Sequence, residues 1–356
     1  FSDMFTTFYQ NNDPLTGQCL CQRQDTRYLI QNQPPLPLTE EEIDAVYSLD
    51  FERDLHPYYK RKGNARALET IRFSVTTHRG CYGECNFCAI AVHQGRTIQS
   101  RSRMSIVHEI ERLIAHPDFK GYIHDVGGPT ANMYGVECEK KIQYGACNDK
   151  RCLFPEICPM LPVNHAKQIE LLRELRNLPG IKKIFVASGV RYDLLLADSR
   201  SGGRYLDEVV AHHVSGQMKT APEHTEPHVL SRMGKPDAEA LVAFKKMFDR
   251  ATKKVGKKQF LTYYLIAAHP GCTENDMKEM KQFISRKLRT NPEQVQIFTP
   301  TPSTYSSLMY YTGRDPFTGE RIFVEKDLRK KERQKAIIVE KGSRKKEKGR
   351  REKVRR

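Results

Sequence analysis

From about residue 71 onward, short apolar, β-branched runs alternate six times with amphipathic stretches, and no other feature restricts the fold as much. The runs that read as strands are 71–76, 122–126, 183–187, 217–221, 260–267 and 294–298. Between them, 104–116 carries Ile106, Ile110, Leu113 and Ile114 on one helical face, and 165–178 carries Ile169, Leu172 and Leu175. Helical patterns follow at 205–213, 238–253 and 274–288, the last opened by Thr273-Glu274-Asn275-Asp276 as a cap and acidic first turn. Strands separated by helices are joined by crossovers and pair in parallel. The expected class is α/β, with a barrel-like sheet of six strands; an open doubly wound sheet is the alternative. In either arrangement, chemistry belongs at the C-terminal ends of the strands.

Residues 1–70 read as an extended lead-in. Pro34-Pro35-Leu36-Pro37-Leu38 is polyproline-like, and Thr39-Glu40-Glu41-Glu42 opens a short helix. The chain starts at Phe1 rather than Met, so the expectation is a piece of a longer protein with a truncated N-terminal region. Residues 316–356 read as a flexible basic tail: 325–356 holds 16 Lys and Arg against 6 Asp and Glu, a net +10 of the chain's +16. The expectation for it is a solvated extension, with contact to RNA through counterion release as the functional reading. The apolar run 336–339 suggests one docked turn within it. No run of eighteen apolar residues exists, so no membrane helix and no membrane partner are expected.

Ten cysteines in 356 residues are too sparse for a disulfide scaffold in a chain this large, so clusters among them read as metal ligands in a reducing compartment, and the expected location is cytoplasmic. The strongest cluster is Arg79-Gly80-Cys81-Tyr82-Gly83-Glu84-Cys85-Asn86-Phe87-Cys88, directly after the first strand. Glycines let this loop fold tightly enough for three thiols to face one iron–sulfur cluster. A closed cluster takes four thiolates. Three leave one iron open to a substrate or cofactor, as catalytic zinc sites keep one position open. The competing reading is structural zinc completed by His78 or His93.

This spacing, with an aromatic before the third cysteine, resembles the radical S-adenosylmethionine (SAM) superfamily. The stretches 98–102 (IQSRS), 127–133 (GGPTANM), 187–193 (ASGVRYD), 221–225 (APEHT) and 309–313 (MYYTG) are similar to the YgiQ-like family within it, over roughly residues 20–315. The resemblance implies a partial (β/α)6 barrel over 71–315 with a Cys-rich insert at 137–160. It also implies a four-iron four-sulfur (4Fe-4S) cluster on Cys81, Cys85 and Cys88, and SAM chelated at the open iron. One electron then cleaves SAM to a 5′-deoxyadenosyl radical that abstracts hydrogen from a substrate. The implied partner is a reductant protein such as a flavodoxin or ferredoxin. By the same resemblance, Phe87, Gly127, Gly128, Ser188, Glu223 and Gly271 stand near SAM. Relatives carry Gly-Gly-Glu where this chain has Gly127-Gly128-Pro129, so the carboxylate for the SAM amino group is replaced here by a turn whose carbonyls accept. Arg191 ends the third strand beside Ser188. His224 and His269 end the fourth and fifth, as candidate proton-transfer groups.

Cys138, Cys147, Cys152 and Cys158 fall in a connection of more than thirty residues, far longer than ordinary βα loops of about two to six. They are the candidate ligands of a second site, zinc or a second iron–sulfur cluster; reduced structural thiols and disulfides are the alternatives. Cys19, Cys21 and Cys272 read as bystanders. The function expected is a radical SAM enzyme of unknown substrate. The competing class is a non-catalytic, metal-stabilised nucleic-acid-binding module, and a third reading is an electron-transfer iron–sulfur protein.

Overall fold

The computed structural model describes residues 1–63, 65–149 and 151–339. Six parallel strand segments form where the alternation places them: β1 Ser74–Thr76, β2 Asp125–Gly127 (preceded by a short piece, Tyr122–Ile123), β3 Lys183–Ile184, β4 Gln217–Glu223, β5 Phe260–Ala267 and β6 Val295–Ile297. β1 pairs with β2, Tyr122–Ile123 with β3, β4 with β5, and β5 with β6, each in parallel. The chain after β3 reaches β4 through a parallel bridge between Val190 and Thr220, and Val126 N donates to Phe185 O at 2.9 Å. Strand order therefore follows chain order, without the reversal that defines a doubly wound sheet. Among the described residues β6 does not pair with β1.

The crossover helices are α1 Arg103–Ile114, α2 Ala166–Arg176, α3 Gly202–Glu208 (continued as a π-helix at Val209–His213), α4 Ala238–Lys254 and α5 Glu274–Phe283 (continued likewise at Ile284–Leu288). Their inner faces follow the 3.6-residue period. Ile106, Ile110 and Leu113 of α1, Ile169, Leu172 and Leu175 of α2, and Leu241, Phe244 and Phe248 of α4 are buried in one core with Val75, Ile123, Val126, Ile184, Met218 and Leu265 from the strands. Each such side chain contributes about 1.5–3 kcal/mol by leaving water. Ser102 caps α1 through Ser105 N, and Thr273 with Asp276 forms a reciprocal capping box on α5.

Two terminal regions differ from expectation. The lead-in is not simply extended. It forms a helix at Ser2–Gln10, an antiparallel hairpin of Leu20–Gln24 with Arg27–Gln31, and a helix at Glu40–Ser48 capped by Thr39 and Glu42. These pieces are short, and specific polar contacts dock the last of them: Asp44 accepts from Ser102 N at 3.0 Å, and Arg112 donates to the Tyr47 and Ser48 carbonyls. At the other end, part of the segment expected as a flexible tail is the helix α6, Leu328–Ile338. Its Gln334 accepts from Ala268 N at 3.0 Å, and Ile338 is fully buried. The remaining basic residues, 340–356, with the RNA-contact expectation attached to them, lie outside the described residues. Among the described residues no helix is long and apolar enough to cross a membrane.

Candidate functional site

The cysteine loop leaves the sheet through a two-residue strand, His78–Arg79, paired with Gln99–Ser100. It lies beyond the C-terminal end of β1. Gly80 turns the chain at φ 81, where a Cβ would fall 2.0 Å from Thr97 O, so only glycine fits. Cys81 N donates to Gly95 O at 3.2 Å and Cys88 N to Cys85 O at 2.9 Å. The thiols of Cys81 and Cys85 flank Gly83: a Cβ on this glycine would stand 3.2 and 3.6 Å from their sulfurs and 2.8 Å from Arg191 Nη1. Asn86 pins the far side: its N donates to Met233 O at 2.9 Å and its Nδ2 to Arg232 O at 2.7 Å.

Burial raises the Cys81 thiol and pushes Cys88 up to about 12. Both would be protonated without a cation, and a metal centre is what displaces such protons. No three His, Cys, Asp or Glu side chains among the described residues converge on a single ion. His93 is exposed, and His78 is buried with its ring against Gly128, where a Cβ would clash at 2.6 Å. Cys81 and Cys85 flank Gly83, and Cys81, Cys85 and Cys88 are each partly buried.

Arg191 is the cation nearest these thiols. Its Nη1 lies 3.6 Å from Cys85 Sγ, while Nε and Nη2 engage the Asp193 carboxylate. Burial opposes the guanidinium charge, but Asp193 outweighs it and holds Arg191 above its usual range. Asn132 fixes the backbone here, accepting from Arg191 N at 2.8 Å and donating to Arg191 O at 3.0 Å. Thr130 Oγ1 stands 3.7 Å from Cys81 Sγ.

Beside the loop opens a cavity of about 910 Å³ running among the strands. Phe87, Pro129, Ser188, Gly189, Ala221 and Glu223 line it near the strand ends, and Lys219, Tyr264 and Gln296 further in. Glu223 adopts φ 69, a left-handed conformation that costs a non-glycine residue roughly 1–3 kcal/mol and recurs at functional sites. Burial raises its carboxyl, partly offset by Lys235 and Arg191, yet among the described residues no hydrogen bond or ion pair holds it. Ser188 Oγ donates to Asp125, whose other oxygen accepts from the Ala187 and Ser188 amides at 2.7 and 3.0 Å. Asp125, Thr130, Asn132 and Asp193 were not singled out by sequence reasoning. Thr130, Asn132 and Asp193 do fall within the stretches 127–133 and 187–193 that carry the family resemblance, and Asp125 lies in the second strand run.

Other expected residues lie elsewhere. Gly127 and Gly128 sit just outside the cavity wall: Gly127 O accepts from Thr77 N at 2.7 Å, and a Cβ on it would meet Ser188 Oγ at 3.1 Å. Gly271 turns at φ 88 against the Arg232 side chain, away from the cavity lining. His224 and His269 are buried in closed networks, His224 against Cys272 at 3.4 Å and His269 against Ser306 at 2.6 Å. Burial lowers both to about 3, so both rings are neutral, with a single N–H, near neutrality. Cys138, Cys147, Cys152 and Cys158 all line one small cavity of about 20 Å³. Cys19 and Cys21 are exposed.

The Radical SAM N-terminal model matches residues 1–74, and a domain of unknown function, DUF3362, matches 293–343. A UPF0313 protein of Fusobacterium nucleatum is 60% identical over 96% of this chain and 60% of its own length. Along nearly its whole length the chain is similar to UPF0313, or YgiQ-like, proteins, and its first 74 residues match the radical SAM model. UPF0313 proteins of Methanosarcina mazei and Clostridium perfringens are 48% and 45% identical over 95% of the chain, covering 53% and 51% of their lengths. The chain thus spans about half to three-fifths of these curated relatives. Among solved structures, the cobalamin-dependent SAM radical enzyme OxsB aligns over 84% of this chain and 36% of its own, at 15% identity and a TM-score of 0.46. The radical SAM methyltransferase TsrM from Kitasatospora setae aligns over 70% and 42%, at 16% identity and 0.43. Likenesses this loose assign no geometry to this chain.

Proposed function

We propose that this chain is a radical SAM enzyme, with a 4Fe-4S cluster on Cys81, Cys85 and Cys88 and SAM lying from the open iron into the cavity among the strands. The observation that carries the reading is the triad itself: three enclosed thiols, held beyond a strand end beside a cavity, with a buried guanidinium at Cys85. The strand order supports a partial (β/α)6 barrel, because parallel segments in chain order curl about one cavity. When bound, the cluster and SAM supply one-electron cleavage and a hydrogen-abstracting radical.

The chain's own residues bind, orient and exclude water. Phe87, within the cysteine loop, lines the cavity, with its ring T-shaped to His269 at 6.4 Å between centroids, and contributes an apolar wall next to the triad. Glu223 is an unpaired carboxyl in the cavity wall and, with a cation beside it to favour its ionised form, the best-placed acceptor for the SAM amino group or ribose hydroxyls. It stands in for the carboxylate missing at Pro129. The Ser188 region, braced by Asp125, forms the facing wall. A volume of about 910 Å³ falls at the upper end of the range for small-ligand pockets, about 300–1,000 Å³, leaving space beside SAM for a substrate group.

The test is anaerobic reconstitution with iron and sulfide, then dithionite and SAM, with 5′-deoxyadenosine as the readout. A Cys81→Ala, Cys85→Ala, Cys88→Ala variant runs beside the parent. Cleavage by the parent and none by the variant is expected. Zinc instead of iron in anaerobically purified parent would sink the reading in favour of a metal-stabilised binding module.

A further inference from the structure

The connection from β2 to α2 is long but tightly held. Asp13 accepts from Ala146 N at 2.8 Å, and Gly145, at φ 78, leaves Asp13 Oδ1 only 2.4 Å from where a Cβ would stand. Tyr82, inside the cysteine loop, accepts from Cys138 N at 3.0 Å through its hydroxyl. Arg151 donates to Glu84 O at 3.2 Å and Asn86 Oδ1 at 2.5 Å, and Lys141 donates to Glu84 at 3.2 Å. The insert is therefore built directly onto the Cys81–Cys88 loop. Tyr82, Cys138, Cys152, Leu153 and Leu161 share one small core, with Cys81 and Cys158 packed against it.

Within the insert, Cys138, Cys147, Cys152 and Cys158 face a common cavity, and none is in a disulfide. Its other walls include three cations, Lys140, Lys141 and Arg151. Lys140 lies against Cys147 and Lys141 against Cys152. Glu84 pairs with Lys141 at 3.2 Å, Arg151 is held by Glu84 O and Asn86, and Lys140 is exposed; thiolates around a metal core would add negative charge that Lys140 and Lys141 stand close enough to balance.

We infer that these four cysteines hold a second iron–sulfur cluster beside the first. The cavity measures only about 20 Å³, room for about one water-sized sphere. Its outer wall, however, is Lys140 and Met160, and Met160 is 69% exposed, so rotation of these two side chains opens it. Four protein thiolates close the coordination of every iron, so this cluster has no open position for SAM. Its proximity to the first, through Tyr82, suits it to pass one electron inward from a low-potential one-electron donor, with no bond made or broken. That role rests on the function proposed above; the existence of the second cluster does not.

The test uses the full chain carrying Cys81→Ala, Cys85→Ala and Cys88→Ala, reconstituted anaerobically, with iron, acid-labile sulfide and zinc counted and spectra taken after dithionite. Retention of about four irons and four sulfides, with a reduced-cluster paramagnetic signal unchanged by SAM, is the expected result. Zinc in their place, or a folded variant without iron, overturns the inference. Because the triple variant removes buried thiols, the parent is also compared with Cys147→Ser/Cys158→Ser, which alters the two half-buried members. Iron should fall from about eight to about four per chain, while the SAM-sensitive signal persists; iron unchanged at about four would overturn the second cluster. Loss of the SAM-sensitive signal in the parent would instead count against the first cluster, so the two failures read differently.

Discussion

Arg191 offers the sharpest quantitative test of the site, because a cluster next to a fixed positive charge is easier to reduce. Its Nη1 is 3.6 Å from Cys85 Sγ, but an added electron spreads over the cluster. A mean separation of about 6 Å and an effective dielectric near 20 give an attraction of about 3 kcal/mol. Asp193, on the far side of the guanidinium, cancels about half of it. Arg191→Gln removes the cation and leaves the anion, so the reduction potential should fall by about 130 mV, taking 59 mV per tenfold change for one electron. Arg191→Gln with Asp193→Asn removes both charges and should lower it by about 60 mV. Asn132 holds the backbone of residue 191 at both N and O, so the turn survives either change. The assay is a redox titration of the reconstituted protein followed by the paramagnetic signal of the reduced, SAM-sensitive cluster. Potentials within about 20 mV of the parent in both variants, against a shift of this predicted size, would refute the contact as an electrostatic one.

Gly83→Ala drives a methyl group to 2.8 Å from Arg191 Nη1 and 3.2 Å from Cys81 Sγ. Overpacking of about 1–3 kcal/mol at that point should lower iron incorporation and lower the melting temperature by about a few degrees, as an iron count and a thermal melt would show. Glu223 has a raised carboxyl in the fold, so its ionised form weakens the native state. The cofactor-free chain should lose stability as pH rises from below the ordinary carboxylate range through the raised value. Glu223→Gln should remove that dependence, raising the melting temperature at neutral pH but not in acid, while weakening SAM binding measured by calorimetry. A parent and variant with parallel pH profiles would refute the burial argument. Ile338→Ala empties a fully buried site under α6 and should cost about 2–5 kcal/mol in urea unfolding. No change would mean that this helix is not docked.

Much of the fold is local in origin, and that part is legible. Ile106, Ile110 and Leu113 repeat at helical spacing and are buried together, and β-branched runs at each expected place become strands, because period and propensity act within one element. Cys81, Cys85 and Cys88 are likewise within eight residues, so a glycine-bearing loop brings them near one another locally, although Gly95, Arg232 and Met233 then hold the loop in place. What the sequence by itself determined is therefore the α/β class, the strand and helix positions and the thiol triad.

The tertiary structure decided the contacts between distant segments. Strand order, and with it the choice against a doubly wound sheet, depends on which edges meet across crossovers. The docking of the lead-in depends on single hydrogen bonds such as Asp44 to Ser102. Arg191 reaches Cys85 across 106 positions, and Asp125 braces Ser188 across 63, with no periodic signal at either end. His224 and His269 read as mouth residues by their place at strand ends, yet side-chain packing against Cys272 and Ser306 encloses them. A linear pattern records which face of an element is apolar; which charged or polar group then comes to rest beside a thiol is set by folding in three dimensions.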